Sequence, residues 1–408
     1  MDTAKRRIRV LAVASRYPND DRPTRGLVIE ERLRALAGSG RIVTNVVSPV
    51  PWFPWRSERF GRWSAYARTP VRERRFGIVV DHPSYLVLPG VGRAHSATTL
   101  SRVLLALLQQ RRRQGADFDL IEAHGLFPDG VAAVRAAVAL GKPCVVCVRG
   151  GDPWLNVRTG SLRNRIAVAL AHANAVIASS NAVQRQLLAI GARPDATHVL
   201  PPGVDTVRFR MLGHHTVKLK LRLAGDIWLA VGTLARGKGF DTIIAALGQV
   251  PAATLFVLGA GPDEKRLRTL AGRVGVEARI HFMGATAHNE LPRYYNAADA
   301  LIDASNGPDV PNAVLEALAC GTPVVATPGA GLREALAPPA AVVIAATPDA
   351  AGLAAAWRHL IAHPPERNAT RALAETLGWD KAVDGICDVY AGVLAASAVK
   401  LPADGVVR

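Results

Sequence analysis

The residues with the clearest chemical potential lie between Asp303 and Thr327, in the segment DASNGPDVPNAVLEALACGTPVVAT. This segment predicts a polar loop, a helix from about Pro311 to Cys320 and a strand, because proline suits the first helical position and Gly321 suits the helix end. Glu316 is the one charged residue in the otherwise apolar helix. A buried carboxylate needs hydrogen-bond donors, and two ligand hydroxyls would serve, whereas a narrow solvent-exposed stripe is the simpler alternative.

A second group of candidate residues lies in the loop from Gly232 to Gly239, between a predicted strand and a predicted helix from Phe240 to Leu247. Lys238 stands between two glycines near the start of this helix, where free backbone N–H groups and a cation favour phosphate. The next predicted strand ends in the glycine turn of Gly259 and Gly261. These features predict a phosphate site in the second half of the chain.

In the first half of the chain, His124 and the RGGD run from Arg149 to Asp152 each follow a predicted strand. Ligands of open parallel sheets bind beyond the carboxyl ends of strands, so we expect both to face a ligand, with a purely structural histidine as the alternative. Arg25 and Gly26 end the loop that follows the first predicted strand. They either border the same site or belong to a solvated loop.

The predicted elements alternate between strands and helices along both halves, which indicates an α/β fold of doubly wound domains. A length of 408 residues suits two domains. No run of 18 apolar residues occurs, which argues against a membrane-spanning helix. The apolar run from Val10 to Ala14 is too short for a signal peptide and predicts a strand.

The positive charge of the protein lies in its first half. Residues 1–210 hold 32 Lys and Arg against 15 Asp and Glu, whereas residues 211–408 hold 18 of each, which leaves the net charge of +17 in the first half. This asymmetry predicts an anionic partner for that half: nucleic acid, an anionic membrane surface or an anionic substrate. The segment 50–63 interleaves tryptophans with arginines, which is typical of a membrane-facing loop or of a flap packed on its own domain.

The four cysteines favour packing over chemistry. Cys144 and Cys147 have the spacing of a redox or metal pair, but they lie in the predicted strand CVVCV, where positions three apart point to opposite faces. A packing role and a reducing cytoplasm are therefore predicted.

The segment around Glu316 resembles the donor-binding signature of glycosyltransferase family 4, whose members have the GT-B fold and retain the anomeric configuration of the transferred sugar. The resemblance covers nearly the whole chain and is strongest from Leu229 to Thr327. It implies two doubly wound Rossmann-like domains facing across a cleft. The acceptor-binding domain would span 1–205, the nucleotide-sugar-binding domain 206–378, and a C-terminal helix at 379–408 would return to the first domain.

The resemblance also implies roles for individual residues. Glu316 would bind the ribose hydroxyls of the donor, Lys238 would offset charge on the leaving diphosphate, and His124 would approach the reacting sugar. The residues implied in donor binding are Gly232, Thr233, Arg236, Lys238, Gly259, Gly261, Asp309, Pro311, Asn312, Leu315 and Glu316. Those implied on the acceptor side are Arg25, Gly26, Arg149 and Asp152.

Two positions depart from the family pattern. Thr233 stands where the family has an arginine five residues before the lysine, and Arg236 is the candidate substitute. Pro308 stands where the family has an acid eight residues before Glu316, so we expect Asp309 to contact the donor sugar instead.

The activity implied by the resemblance is transfer of a sugar from a nucleotide-diphosphate sugar to a polysaccharide or lipid-linked acceptor, without a metal or other cofactor. An anionic membrane surface is a further candidate partner, which would place the protein in the cytoplasm or on the inner face of the plasma membrane. A noncatalytic protein of the same fold is one alternative, because of Thr233 and Pro308. A nucleic-acid-binding protein is another, disfavoured because no nucleic-acid-binding module is recognisable in the sequence.

Overall fold

The computed structural model describes residues 6–22, 25–87, 95–335 and 341–399 and divides the chain into two compact units. The first unit comprises Met1–Pro202 and Ala382–Arg408, and the second comprises Gly203–Lys381. The predicted boundaries, after 205 and after 378, each lie three residues from these divisions. The last helix begins at Trp379 in the second unit and continues into the first, and residues 400–408 of the predicted C-terminal helix lie outside the described residues.

The first unit is built on a sheet of eight strands. The strands of this unit, of which β3 and β6 lie outside the sheet, are β1 (Ile8–Val13), β2 (Ile42–Val47), β3 (Val50–Pro51), β4 (Arg72–Arg75), β5 (Ile78–Asp81), β6 (Ser84–Tyr85), β7 (Leu120–His124), β8 (Cys144–Val148), β9 (Ala175–Ala178) and β10 (Thr197–Val199). Its helices before the boundary are α1 (Leu27–Gly38), α2 (Arg62–Arg68), α3 (Ser96–Arg113), α4 (Val131–Leu140), α5 (Ser161–His172) and α6 (Asn181–Ile190).

The strand order of this sheet is β10-β9-β8-β7-β1-β2-β5-β4, with β4 antiparallel to β5 and the other pairs parallel, while β3 and β6 form a separate two-stranded ribbon. The chain order reverses between β1 and β7. In doubly wound sheets this switch point opens a crevice at the carboxyl ends of the strands, and that is where ligands bind. The segments after β1 and β7 are therefore expected to line a ligand site in this unit.

Successive residues of the central strands point into two different cores, because both faces of the sheet are covered. Leu11 and Val13 of β1 pack into one core, whereas Val10 and Ala12 pack into the other. On β8, Cys144 and Cys147 likewise belong to opposite cores, and both thiols are free and buried. The prediction of packing roles for these two cysteines agrees with this arrangement.

The second unit has a six-stranded sheet in which every pair is parallel. Its strands are β11 (Asp226–Val231), β12 (Ala253–Leu258), β13 (Ile280–Gly284), β14 (Ala300–Asp303), β15 (Val324–Ala326) and β16 (Val342–Ile344). Its helices are α7 (His214–Lys220), α8 (Phe240–Leu247), α9 (Glu264–Val274), α10 (Leu291–Ala297), α11 (Asn312–Ala319), α12 (Ala330–Ala335), α13 (Ala350–Ala362) and α14 (Arg367–Glu375). The final helix of the chain is α15 (Trp379–Val399).

The strand order is β13-β12-β11-β14-β15-β16. Counted from the first strand of the unit this is 3-2-1-4-5-6, the order of a dinucleotide-binding Rossmann sheet, with its switch point between β11 and β14. The loop that leads from β11 to α8 and the loop that leads from β14 to α11 leave the sheet side by side at this point. These are the two segments that carry Lys238 and Asp309.

Helix α11 is slightly shorter than predicted. Pro311 lies at its N-cap with an extended ψ of 138° rather than at the first helical position, and Cys320 lies at its C-cap. The prediction that Pro311 opens the helix was therefore wrong by one residue, because its carbonyl accepts the first N–H bonds, from Val314 and Leu315, while its own backbone stays extended. Gly321 follows with a left-handed φ of 71°, as predicted for the helix end.

Within the residues that the structure describes, no helix combines the length and the apolar character needed to cross a bilayer.

Candidate active site

The loops at the switch point of the second unit are held together by close backbone contacts. Gly239, which precedes α8 with a φ of 76°, packs so tightly that a Cβ atom there would lie 2.2 Å from the carbonyl oxygen of Ala304. A Cβ atom on Gly259 would lie 1.9 Å from the carbonyl oxygen of Gly232. Both distances are far below any real carbon–oxygen contact, so only glycine lets the loops after β11, β12 and β14 meet.

Lys238 is exposed in the loop between β11 and α8, one residue before Gly239. Its charge reaches Asp303 at the end of β14, where burial raises the pKa of the carboxyl group while hydrogen bonds from Ser305 and the charge of Lys238 oppose the rise. The Oδ1 atom of Asp303 accepts bonds from the Ser305 N–H at 2.9 Å and from its hydroxyl at 2.7 Å. A cation therefore stands at the switch point, where it is accessible to an anionic ligand.

Other residues predicted in this loop are also exposed. Thr233 and Arg236 both face solvent. The charge of Arg236 reaches Asp263, whose pKa is lowered mainly by a hydrogen bond from Arg266. Arg236 is therefore a second exposed cation in the loop that carries Lys238, whereas Thr233 adds no charge to this loop.

Glu316 lies on α11 and is 7% exposed, which makes the alternative of a solvent-facing stripe wrong. Its Oε1 atom is 3.0 Å from Nε2 of His288, and its Oε2 atom accepts the hydroxyl of Tyr295 at 2.7 Å. Burial and the carboxylate together raise the pKa of the Tyr295 hydroxyl, so this hydroxyl remains a donor. The protein itself thus supplies two of the hydrogen-bond donors that this buried carboxylate needs.

The remaining predicted donor residues surround the start of α11. Asp309 is half-buried in the loop before the helix, and a Cβ atom on Gly331 would lie 2.3 Å from its carbonyl carbon. The Asn312 side chain is half-buried at the first helical position, whereas the Leu315 side chain packs in the hydrophobic core. A ligand contact by Leu315 would therefore have to come from its backbone.

The switch point of the first unit carries a buried carboxyl group that the sequence analysis overlooked. Asp129 lies in the segment after β7 and accepts the Ser15 hydroxyl at 2.5 Å and the Ser15 N–H at 2.8 Å. Ser15 follows β1, so this contact joins the two segments that diverge at the switch point. Burial raises the pKa of Asp129 to about 6 despite these hydrogen bonds. The sequence signal was present in GLFPDG, directly after His124.

His124 ends β7, and its side chain is only 6% exposed. Its Nε2 atom is 3.6 Å from Oε2 of Glu122, which is longer than a hydrogen bond, and neither atom has another hydrogen-bond partner among the described residues. The Oε1 atom of Glu122 accepts bonds from Arg32 of α1 at 2.7 and 3.2 Å. Burial alone would raise the pKa of Glu122, but Arg32 and His124 hold it well below its usual range.

Glu122, His124 and Cys147 place one donor atom each within 4.8 Å of one another, a set that a transition metal accepts in other proteins. Here the Arg32 guanidinium already occupies the group, with contacts of 2.7 Å to Glu122 and 3.2 Å to Cys147. Burial raises the pKa of the Cys147 thiol well above its usual range, so the thiol stays protonated. Its S–H group donates a hydrogen bond to Oε1 of Glu122 at 3.0 Å. The group suits a protein cation rather than a metal.

The residues predicted on the acceptor side hold their own loops in place. The Asp152 carboxylate accepts the N–H of Leu126 at 2.8 Å and of Trp154 at 2.9 Å, which ties the RGGD loop to the segment after β7. Gly26 precedes α1 and packs against the Arg16 carbonyl. Burial alone would raise the pKa of the half-buried Tyr66 hydroxyl, but Arg22 and, to a lesser extent, Arg25 lower it below its usual value.

Sequence comparison now identifies the family. Residues 216–376 match the family of glycosyl transferases group 1, and residues 93–208 match glycosyltransferase family 4. A D-inositol 3-phosphate glycosyltransferase of Catenulispora acidiphila is 31% identical over 361 residues, which cover 81% of this chain and 85% of that protein. The chain belongs to glycosyltransferase family 4.

The solved structures that resemble this family 4 chain show its fold. Sucrose-phosphate synthase of Thermosynechococcus elongatus superimposes with a TM-score of 0.75 at 19% identity, over 96% of this chain and all of that one. The Anabaena protein HepE, solved in complex with UDP-glucose, gives a TM-score of 0.68 at 19% identity over 94% of this chain. The fold is GT-B, as the resemblance implied, with a Rossmann-like sheet in each of its two domains.

Within this family 4 fold, the predicted residues fall into one group in each unit. Lys238, Asp309 and the buried Glu316 lie in the two segments that follow β11 and β14, whereas His124 and the RGGD loop follow β7 and β8. Sequence reasoning missed the partners of these residues, because Glu122 and Arg32 are 90 positions apart and Tyr295 is 21 positions from Glu316. The segment LPRYYNAAD did contain Tyr295, but nothing local pointed to its hydroxyl.

Replacing Asp129 with Asn should change the pH dependence of stability in one direction. The folded-state pKa of about 6 exceeds the ordinary value of 3.8, so stabilisation by the protonated group is complete near pH 4 and is lost as the pH rises through 6. Asn keeps a donor and an acceptor for Ser15 but does not ionise. Relative to wild type, the variant should gain up to roughly 3 kcal/mol of unfolding free energy between pH 4 and pH 7.

Urea denaturation of both proteins at several pH values measures this difference. A wild-type-minus-variant difference that stays constant from pH 4 to pH 7 would show that Asp129 does not titrate there.

Proposed function

We propose that this protein transfers a sugar from a nucleotide-diphosphate sugar to a polysaccharide or lipid-linked acceptor, with retention of configuration and without a metal or other cofactor. The observation that carries the proposal is the pairing of two features in the second unit. An exposed lysine stands before α8 on one side of the switch point, and a buried, hydrogen-bonded glutamate stands on α11 on the other side. A cation for a diphosphate and an acceptor for sugar hydroxyls are what a nucleotide sugar requires.

The donor is assigned to the second unit. Lys238 offsets the charge that develops on the leaving diphosphate, with Arg236 in the same loop, and these protein cations take the role that a metal would otherwise fill. Glu316 binds the ribose hydroxyls. The HepE structure, which was solved with UDP-glucose, supports a nucleotide sugar as the donor class.

Asp309 takes over the contact to the transferred sugar that an acid at the position of Pro308 makes elsewhere in the family. Proline offers neither a carboxylate nor an N–H group, and it restricts the backbone directly before Asp309. The half-buried position of Asp309 in the loop that precedes α11, on the same loop as the family acid, supports this assignment.

The acceptor is assigned to the first unit. His124 approaches the reacting face of the sugar, and Arg149 of the RGGD loop and Arg25 contribute positive charge on the acceptor side. Retention in this family is attributed to attack on the same face from which the diphosphate leaves, so no side-chain nucleophile is required. The excess of positive charge in residues 1–210 suits an anionic acceptor or an acceptor at an anionic surface.

A protein that binds the donor without turning it over is the second candidate. Thr233 is exposed and uncharged where the family has arginine, and Pro308 replaces the family acid, so two contacts to the donor are altered. Binding of a nucleotide sugar with neither transfer nor hydrolysis would favour this candidate.

We also propose that the protein works at the cytoplasmic face of the plasma membrane, through the aromatic and basic segment 52–63, which runs from the end of β3 into the start of α2. Trp52 and Trp55 are 54% and 56% exposed, and Arg56 and Arg59 beside them are exposed as well. The Trp55 ring stacks on Phe60 at 5.3 Å between centroids, so the aromatic groups form one cluster. Exposed indoles beside cations suit a membrane interface, where each basic residue adds about 1 kcal/mol at an anionic surface.

Incubation of the pure protein with a panel of nucleotide-diphosphate sugars and crude lipid or polysaccharide acceptor tests the main proposal. We expect transfer from one donor class, unchanged in excess EDTA, and a product whose anomeric configuration by NMR matches that of the donor. A product of inverted configuration, or loss of transfer that added divalent metal restores, would contradict the mechanism proposed here.

Replacing Lys238 with Ala should lower kcat/KM by the equivalent of about 2 to 4 kcal/mol, as expected for loss of one preorganised charge in the transition state. Folding should be unaffected, because the side chain is exposed. Lys265→Ala, which removes an exposed lysine from α9 of the same unit, is the matched control. Undiminished turnover by Lys238→Ala would remove this loop from the active site.

Sedimentation with lipid vesicles tests the membrane proposal. Binding should rise with the fraction of anionic lipid and fall with salt, and the double variant Trp52→Ser/Trp55→Ser should pellet less than wild type. Leu219→Ser, at a 77% exposed leucine of the second unit, is the control and should pellet normally. Equal pelleting with neutral and anionic vesicles would discard the electrostatic part of this proposal.

A further inference from the structure

The carboxylate of Glu316 belongs to a chain of four hydrogen-bonded polar side chains in the second unit. The Nη1 atom of Arg208 lies 2.8 Å from Nδ1 of His288, and Nε2 of the same imidazole lies 3.0 Å from Oε1 of Glu316. Tyr295 completes the chain from the other side at 2.7 Å. The four residues come from three separate places in the sequence: the segment after the domain boundary, the region around α10, and α11.

The direction of the hydrogen bonds follows from the chemistry of the groups. A guanidinium is a donor with no acceptor, so Nδ1 of His288 accepts from Arg208 and the ring hydrogen lies on Nε2. That nitrogen donates to Oε1 of Glu316, while the hydroxyl of Tyr295 donates to Oε2. The hydrogen bond from Arg208 thus fixes the tautomer of the imidazole, and the imidazole presents its N–H group to the carboxylate.

The two rings of this chain are locked in place by an aromatic neighbour. Phe209, which is 1% exposed, meets the His288 ring edge to face at 5.2 Å between centroids and the Tyr295 ring at 5.9 Å. Tyr295 is completely buried. The Tyr295 ring cannot turn without displacing this core, and the half-buried His288 ring is held by Phe209 on one side and by its hydrogen bonds at both nitrogens.

A carboxylate offers about four acceptor sites, two on each oxygen. His288 uses a site on Oε1 and Tyr295 uses a site on Oε2, which leaves each oxygen able to accept once more. Two neighbouring hydroxyl groups, such as those at the 2′ and 3′ positions of ribose, match two acceptors held in this way. A ligand with one of the two hydroxyls removed leaves a buried, charged acceptor short of a donor, which is costly.

We propose that Arg208, His288 and Tyr295 are positioning residues that hold Glu316 as a reader of two vicinal hydroxyls, so that the site selects a ribonucleotide over its 2′-deoxy analogue. This inference rests on the proposed function, because it takes Glu316 to be the ribose ligand. The three positioning residues do not touch the nucleotide. They act by fixing the two remaining acceptor directions of the carboxylate.

The experiment compares dissociation constants for a ribonucleoside diphosphate and its 2′-deoxy analogue, by calorimetry. The four common ribonucleoside diphosphates are screened first, and the tightest one sets the base. Wild type should prefer the ribonucleotide by about tenfold or more, the range expected for one hydrogen bond to a charged group. Glu316→Gln, which removes the charge, should lose most of this preference.

Tyr295→Phe is the decisive variant, because it removes one hydroxyl and keeps the ring in the core. It should weaken binding of the ribonucleotide and leave the deoxynucleotide nearly unchanged, so that the preference falls at least about threefold. Tyr294→Phe removes the hydroxyl of the neighbouring, half-buried tyrosine and should keep the wild-type preference. A merely structural role for Tyr295 would lower both affinities or the melting temperature without changing their ratio.

A second pair of variants covers the case in which Tyr295→Phe fails to fold. His288→Gln keeps an amide donor and acceptor in place of the imidazole and should retain part of the preference, whereas His288→Leu should lose it. Wild-type preference in Tyr295→Phe or in His288→Leu overturns the inference. A wild-type protein that binds a nucleoside diphosphate without discrimination also overturns it and leaves the proposed function intact, whereas failure of wild type to bind any nucleoside diphosphate refutes both.

Discussion

The donor half of this molecule depends on backbone segments that approach more closely than any side chain allows. At Gly239 the start of α8 lies against the carbonyl of Ala304 at the end of β14, and at Gly259 the turn after β12 lies against the carbonyl of Gly232. These contacts bring three loops of one sheet edge into a single layer. Because the loops are in backbone contact, the positions of Lys238 and of the segment before α11 are set by the sheet rather than by flexible connections.

The two switch points solve the problem of buried charge in different ways. In the first unit, Glu122 is paired with a protein cation, Arg32, and its other oxygen faces a histidine at a distance too long for a hydrogen bond. In the second unit, Glu316 is held by two donors that leave its charge available. A buried pair that is complete contributes little to ligand binding, whereas a buried acceptor with unused sites favours a ligand that donates to it.

The elements of the fold were largely predictable because their signals are local. The helix from Phe240 to Leu247 was predicted with the bounds that the structure shows, because Gly239 ends the preceding loop and the apolar residues of the helix are periodic. The unit boundaries fell three residues from their predicted places. Pro311 was misplaced by one position because φ is fixed by the ring, whereas ψ, which decides whether a residue is helical, is not.

The partners of the site residues were not predictable, because each contact joins distant parts of the chain. Asp152 was expected to face an acceptor, and only the structure shows its two oxygens bound to the N–H groups of Leu126 and Trp154. His288 and Arg208 sit in polar segments that look like ordinary loops in sequence. Their hydrogen bonds toward Glu316 depend on the arrangement of α10 and α11, which no local pattern encodes.

The packing of helix α15 sets the order in which the cores of the two units are completed during translation. Its residues Ile386 and Tyr390 are fully buried in the same core as Val10 and Ala12 of β1, so β1 packs against a helix that leaves the ribosome much later than the strand does. The second unit, Gly203–Lys381, lies between them in the chain and is synthesised before Ile386 and Tyr390. During translation the core around β1 is therefore completed only after the second unit has emerged, and a stop before α15 would leave the first unit without part of that core.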